Sequence, residues 1–326
     1  MTETTPKPLA EALAARGYDA LTPVQQAVLT PEAAGRDLIV SAQTGSGKTV
    51  AFGLAVAPEI IGDGGALDPD LSALPRGLIV APTRELALQV AREFAWLYAA
   101  TGAAIATCVG GMDFRTERRA LERGAGLVVG TPGRLRDHVE RGTLKLEGVR
   151  AVVLDEADEM LDMGFAEDLE AILAATPAEK QVALFSATLA PRIATIARTH
   201  LREPEVIEVD TAAVKAARTA TIRQVAYLVA RAYKMPALAR ILDIERPTSA
   251  IVFCRTRTEV DALTETLTGR GLPAEALHGG LSQEQRDRVM KRFRAKTSTL
   301  LVATDVAARG LDVQHVSHVV NFDVPN

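Results

Sequence analysis

Aromatic residues are scarce: Phe, Trp and Tyr together make up 4% of the 326 residues, so any core has to rest on Ala, Val, Leu and Ile. Cysteine is nearly absent. Cys108 and Cys254 stand far apart, and neither falls in a metal-ligand spacing, which leaves two buried, reduced thiols of a cytoplasmic protein as the expectation. No uninterrupted apolar run approaches the ~18 residues of a membrane span. The stretch from Met1 to Ala15 mixes Glu, Lys and Pro among its apolar residues, unlike the hydrophobic region of a secretory signal. An excess of positive charge is missing too. The net charge is −4, so the chain as a whole does not attract a polyanion, and any contact with nucleic acid must come from placed residues and backbone donors.

What is present is globular composition, 48% hydrophobic and 24% charged, in a length that suits about two domains. Short runs of Val, Ile and Leu alternate with stretches of helical spacing. Candidate strands are Leu38–Val40, Leu78–Ala81, Leu127–Val129, Ala151–Leu154 and Val182–Phe185, then Ala250–Cys254, Leu300–Ala303 and His318–Phe322. Apolar runs of this kind, separated by helices, predict an α/β fold with parallel sheets flanked by helices. Residues Glu85–Ala99 put Leu86, Val90, Phe94 and Leu97 on one side, the pattern of a helix packed on such a sheet. The segment 62–75, rich in Gly, Asp and Pro, predicts a mobile surface loop. Residues 211–218 carry no strand pattern and predict a linker between a first lobe, 1–210, and a second, 219–326.

Ala42-Gln43-Thr44-Gly45-Ser46-Gly47-Lys48-Thr49 follows the first strand directly and leads into the apolar segment Val50–Ala57. Glycines in a strand–loop–helix turn let successive N–H groups point at one phosphate chain, and the helix adds its positive end. Lys48 would reach the β- and γ-phosphates, and the Thr49 hydroxyl would bind Mg²⁺. Asp155-Glu156-Ala157-Asp158 stands at the end of another apolar strand, where ligands bind in open α/β sheets. Asp155 would hold Mg²⁺ and Glu156 would orient and deprotonate the attacking water. Together the two motifs predict a nucleoside triphosphatase using ATP and Mg²⁺, with Lys48, Asp155 and Glu156 as its catalytic residues. Glu159 and Asp162 read as solvated loop carboxylates.

The remaining motifs make the chain similar to the DEAD-box ATP-dependent RNA helicases of bacterial type, over nearly its whole length. Gly17-Tyr18-Asp19-Ala20-Leu21-Thr22-Pro23-Val24-Gln25 resembles the family's adenine-reading motif; the resemblance adds Tyr18, Thr22 and Gln25 to the ATP-binding set of Ala42 through Thr49. Pro82-Thr83-Arg84-Glu85-Leu86-Ala87, Gly110-Gly111 and Thr131-Pro132-Gly133-Arg134 resemble its RNA-facing motifs, which implies RNA contacts at Pro82, Thr83, Arg84, Gly111, Thr131 and Arg134. Ser186-Ala187-Thr188 resembles the motif that, with Asp158, couples hydrolysis to RNA work. In the second lobe Arg255, Gly279 and Thr304 fall in further RNA-facing motifs, and Asp312 in one that approaches ATP.

The resemblance implies two RecA-like lobes that close on single-stranded RNA and ATP together and so remodel or unwind duplex RNA. Small residues whose amides and hydroxyls meet phosphate and sugar imply binding without sequence preference. Partners in ribosome assembly or RNA decay are compatible with it, and a membrane is not. A surface salt bridge is the competing reading of Arg84 and Arg134, and His278, before Gly279-Gly280, reads as a structural loop histidine. Two departures stand out. The family's aromatic about seventeen residues ahead of Gln25 is replaced by Pro8. The sequence ends at Asn326, before the arginine-finger motif, so the second lobe is expected to be incomplete; such a finger is worth on the order of 10³–10⁵ in turnover. An ATP-gated RNA clamp and a DNA translocase are the rival readings.

Overall fold

Central strands of a sheet covered on both faces must be apolar throughout, and the first unit follows that rule. The computed structural model describes residues 5–42, 45–62, 64–67, 74–188, 191–209, 222–308, 313 and 315–323. The chain divides into two units, Met1–Ile222 and Arg223–Asn326. The linker expected at 211–218 lies outside the described residues.

The first unit holds β1 (Leu38–Ser41), β2 (Gly77–Val80), β3 (Ile105–Cys108), β4 (Leu127–Gly130), β5 (Ala151–Leu154), β6 (Gln181–Ser186) and β7 (Glu205–Glu208). They form one parallel sheet in the order β3-β4-β2-β5-β6-β1-β7. Its helices are α1 (Lys7–Ala15), α2 (Pro23–Ala27), α3 (Lys48–Ala55), α4 (Ala57–Ile61), α5 (Arg84–Leu97), α6 (Phe114–Glu122), α7 (Pro132–Glu140), α8 (Ala157–Asp162), α9 (Ala166–Ala174) and α10 (Pro191–His200). Alternate strand residues face opposite layers. Ile79, Val153 and Phe185 pack with Leu9, Phe52 and Phe94 on one side, and Leu78, Val152 and Leu184 pack with Met160, Leu169 and Ile193 on the other. Helix α5 buries Leu86, Val90, Phe94 and Leu97, the side its periodicity predicts.

Four of the aromatics meet around α3. Phe52 meets Phe94 at 5.6 Å and Phe185 at 5.4 Å between ring centroids, and the Tyr98 hydroxyl donates to Gly53 O at 2.6 Å. Each such ring pair is worth about 0.5–1.5 kcal/mol beyond its buried area. The contacts fix the helix that begins at Lys48. At the opposite end of the sheet the buried Asp37 carboxylate accepts from Val182 N at 2.7 Å and Arg202 N at 2.6 Å. It thereby seats β1 between β6 and the chain leading to β7. Within the segment 62–75, Leu67 is buried and its N–H donates to Thr101 O at 2.8 Å, so this residue is held against the unit where a mobile surface loop is expected.

The second unit holds β8 (Ala250–Cys254), β9 (Ala274–Leu277), β10 (Leu300–Thr304) and β11 (His318–Asn321), parallel and in the order β11-β8-β10-β9. Val252 and Val302 face Leu263 and Leu267 on one side; Ile251 and Leu301 face Met290 and Phe293 on the other. Cys108 ends β3 and Cys254 ends β8; both are free and buried, and burial pushes each thiol up to about 12. Among the described residues no helix is long and apolar enough to cross a membrane.

Candidate functional site

Three adjacent strands of the first sheet, β5, β6 and β1, end side by side, and each carries a motif at its C-terminal end. Beyond β1, Ala42 N donates to Ser186 O at 3.3 Å and starts the phosphate loop. Gln43 and Thr44 lie outside the described residues. Gly45 and Gly47 have φ of 79° and 92°, the left-handed backbone that an L side chain resists. Gly47 caps α3, whose first residues are Lys48 and Thr49. A Cβ at Gly47 would stand 2.6 Å from Gln25 Nε2 and 3.0 Å from Thr22 Oγ1, so the loop and the Gln25 segment pack backbone to side chain.

Gln25 is 1% exposed. Its Oε1 accepts from Thr22 N at 2.9 Å and its Nε2 donates to Gly47 O at 3.2 Å. The amide expected to read adenine thus first ties its own turn to the phosphate loop, with one N–H and one lone pair of its inventory left over. Thr22 Oγ1 is buried without a protein partner. Tyr18 stacks on Trp96 at 5.9 Å, and Arg16 covers the Trp96 ring at 4.9 Å.

Lys48 Nζ and Asp155 Oδ1 are also buried without a hydrogen-bond partner among the described residues. Orphaned buried charges cost several kcal/mol unless something compensates them, so the pair fits a ligand that brings phosphate oxygens and a cation. No three His, Cys, Asp or Glu residues converge on a metal site among the described residues. Mg²⁺ takes one or two carboxylates and completes its shell with water and phosphate, so a single buried carboxylate such as Asp155 fits it. Burial raises the Asp155 carboxyl, against the pull of Lys48.

Glu156 has φ 51° and ψ 51°, a left-handed conformation that costs a non-glycine residue about 1–3 kcal/mol. Its carboxyl is pushed up to about 7, by burial first and then by the charge of Asp155. A carboxylate near 7 is matched to proton abstraction at neutral pH. Asp158 and Glu159 lie in the first turn of α8, and Asp162 ends it, on a helix where a loop is expected. Asp158 Oδ2 accepts from Thr188 N at 3.1 Å and from Thr188 Oγ1 at 3.0 Å, while Ser186 Oγ donates to Thr188 O at 2.6 Å. The three residues expected to couple hydrolysis to RNA are therefore joined directly.

The RNA-facing candidates follow β2, β3 and β4. Pro82 is buried; Thr83 Oγ1 accepts from Leu86 N at 3.2 Å and caps α5, and Arg84 Nη1 reaches Gly110 O at 3.5 Å. Gly110 and Gly111 are exposed, Gly111 with φ 78°. Thr131 N donates to Cys108 O at 3.0 Å, which sets the start of α7 beside the double-glycine turn. Arg134 is paired with Glu117 at 2.9 Å and donates to Met112 O at 3.2 Å; its side chain is 17% exposed. Glu117 and Phe114, in the arginine-rich α6, and His138, in α7, carry no sequence signal for this role.

In the second unit Arg255 N donates to Asp323 Oδ2 at 3.1 Å, and Thr304 is the half-buried last residue of β10. His278 is buried. Its Nδ1 accepts from Gly280 N at 3.0 Å, which leaves Nε2–H to donate to Asp261 Oδ1 at 2.9 Å and fixes the tautomer. It holds the exposed Gly279-Gly280 turn in place, the structural role expected of it. Asp312 lies outside the described residues.

Residues 22–196 match the family model of the DEAD/DEAH box helicases, and residues 233–326 match the helicase conserved C-terminal domain. The chain is 44% identical over 315 residues to the DEAD-box ATP-dependent RNA helicase CshA of Geobacillus kaustophilus, covering 97% of this chain and 65% of that protein. It is 42% identical over 317 residues to CshA of Bacillus subtilis, covering 97% and 62%. The chain thus spans just under two thirds of the length of these relatives. Among solved structures, S. cerevisiae Dbp5 bound to RNA and ADP BeF3 aligns with a TM-score of 0.80 and 28% identity, over 98% of this chain and 79% of that one. A DEAD box protein from Methanococcus jannaschii aligns at 0.56 with 34% identity, over 98% and 83%.

Proposed function

The chain belongs to the DEAD/DEAH box helicase family, and from that premise we propose that it is the core of an ATP-dependent RNA helicase, acting on single-stranded and duplex RNA. The observation that carries the reading is the pair of buried atoms without a hydrogen-bond partner among the described residues, Lys48 Nζ at the start of α3 and Asp155 Oδ1 just after β5. A triphosphate with its cation answers both. Lys48 and the phosphate-loop amides bind and orient the phosphates, and Gln25 with Thr22 shapes the adenine side. Thr49 and Asp155 would hold Mg²⁺, which when bound supplies positive charge against the phosphate oxygens. Glu156, with its carboxyl near 7, takes the proton of the attacking water.

RNA lies on loops that follow β2, β3 and β4 in the first unit and on those carrying Arg255, Gly279 and Thr304 in the second. These loops offer backbone groups, small side chains and cations to phosphate and sugar, so binding is independent of sequence. RNA and ATP together draw the two units closed, and each ligand raises the affinity of the other. Asp158, Thr188 and Ser186 transmit the state of the nucleotide. Partners in ribosome assembly or RNA decay and a cytoplasmic location remain part of the proposal.

The test is steady-state phosphate release from ATP with single-stranded RNA, with DNA of equal length, and with neither, beside the Lys48→Met variant. RNA-specific stimulation, lost in Lys48→Met, is expected. Equal stimulation by DNA would make the protein a translocase, and ATP-dependent RNA binding without turnover would make it a clamp.

A further inference from the structure

Glu117 is a carboxylate that the arginine-rich helix α6 buries: its side chain is 1% exposed, while Arg115, Arg118 and Arg119 around it are exposed. Burying an ionised carboxylate is costly unless it is fully bonded. Glu117 Oε1 accepts from Val109 N at 2.8 Å. Its Oε2 takes Arg134 Nη1 at 2.9 Å and His138 Nε2 at 2.9 Å. An ionised carboxylate only accepts, so Nε2 of His138 carries the proton, and the Thr143 hydroxyl lies 2.8 Å from Nδ1. Phe114 stacks on the His138 ring at 4.1 Å and 6°, and the Arg134 guanidinium lies 5.8 Å from the Phe114 ring centroid.

Both ends of the double-glycine turn come back to this carboxylate. Met112 N donates to Val109 O at 3.4 Å, so Val109–Met112 is one tight turn with Gly111 in the left-handed region. Its first residue is tied to Glu117 through Val109 N; its last is tied to Glu117 through Met112 O and Arg134. A guanidinium spent on a carboxylate, a carbonyl and a ring face is a brace with fixed geometry.

We propose that Glu117 is the positioning residue of the first unit's RNA-facing turn, and that Arg134 acts through it as a brace and not as a phosphate-neutralising charge. This rests on the RNA reading above. Glu117 closes a ring, Val109 to Met112 to Arg134, that holds the Gly110-Gly111 backbone in one conformation. His138 completes the carboxylate's shell and, stacked on Phe114, fixes α6 against α7.

The measurement is the dissociation constant for a fluorescent single-stranded RNA with ADP·BeF3 present, as a function of KCl, for the parent chain, Glu117→Gln, Arg134→Lys, Arg134→Met and Glu117→Gln/Arg134→Met. Melting temperature and ADP affinity are followed alongside. A lost phosphate contact lowers the salt slope of a single-strand complex by about 0.7; a lost brace lowers affinity without changing the slope. The expected result is an affinity loss of about tenfold in each variant at an unchanged slope, no larger in the double variant, with ADP affinity kept. Arg134→Lys, which retains charge but not the bridging fork, separates the two roles even if Glu117→Gln melts early. A reduced slope in Arg134→Met, full affinity in Arg134→Lys, or additive losses in the double variant would overturn the brace. A parent chain that binds no RNA would instead overturn the RNA reading, and the brace with it.

Discussion

Thr188 presents both its amide and its hydroxyl to one oxygen of Asp158, thirty residues earlier in the chain, at 3.1 and 3.0 Å. The contact joins the loop after β6 to the first turn of α8, and it sits on the surface, since Thr188 is exposed. A single exposed hydrogen bond is worth only about 1 kcal/mol, so its value lies in what it connects.

Thr188→Val removes the hydroxyl and leaves the amide bond. The variant should melt within about 1 kcal/mol of the parent and keep its affinity for ATP, but lose most of its RNA-stimulated turnover. Thr188→Ser, which restores the hydroxyl, should recover it. Equal RNA stimulation in all three proteins would remove the pair from the coupling path.

Glu156 provides a pH prediction with a definite sign. Its carboxyl is raised from 4.5 to about 7 in the folded chain, by burial and by Asp155. The folded state therefore favours the protonated form. The stability this contributes is complete below the unfolded value and is lost as pH rises through 7. Glu156→Gln keeps the shape without the charge. In nucleotide-free protein its stability advantage over the parent should open between pH 4.5 and 7 and level off above, at up to about 3 kcal/mol. Urea denaturation across that range measures it, and an advantage that does not change with pH would mean that Glu156 is not raised.

Gly47 is the position where backbone and packing combine. At φ 92°, with Gln25 Nε2 2.6 Å from where a Cβ would be, Gly47→Ala must both strain the turn and push Gln25 from its bond to Gly47 O. The cost should be roughly 1–3 kcal/mol of stability and most of the nucleotide affinity. Calorimetric titration with ADP and Mg²⁺ checks it; Gly110→Ala, where a Cβ meets nothing within 4 Å, is the matched control for stability.

The inner part of the fold was legible because burial on both faces leaves strands no choice of residue. The five strands read in the first unit are the five inner ones, each an apolar run. β3, β7 and β9, all sheet edges, escaped that reading, while the edge strand β11 was legible from its Val319-Val320 pair. Glu205-Val206-Ile207-Glu208 is half exposed, and Ala274-Glu275-Ala276-Leu277 has one buried residue of four. The phosphate loop and Asp155–Asp158 were legible for a different reason, since phosphate chemistry restricts residue type and spacing together. Glu117 was not legible at all. Nothing in Phe114-Arg115-Thr116-Glu117-Arg118-Arg119 separates the buried carboxylate from a solvated one; only the meeting of α6 with α7 and the β3 loop does that. Asp37 was hidden in the same way, as its partners Val182 and Arg202 are remote in sequence.

The two cysteines furnish a built-in clock. The sequence has only Cys108 and Cys254, one in each unit, each the last residue of a strand, with thiols held near 12 and shielded from solvent. A thiol reagent can reach either sulfur only when that unit opens. The modification rate at Cys108 therefore times excursions of the first unit, and the rate at Cys254 times those of the second, in the unmodified protein and without an introduced label. Run with and without ATP and RNA, the two rates report which half each ligand secures.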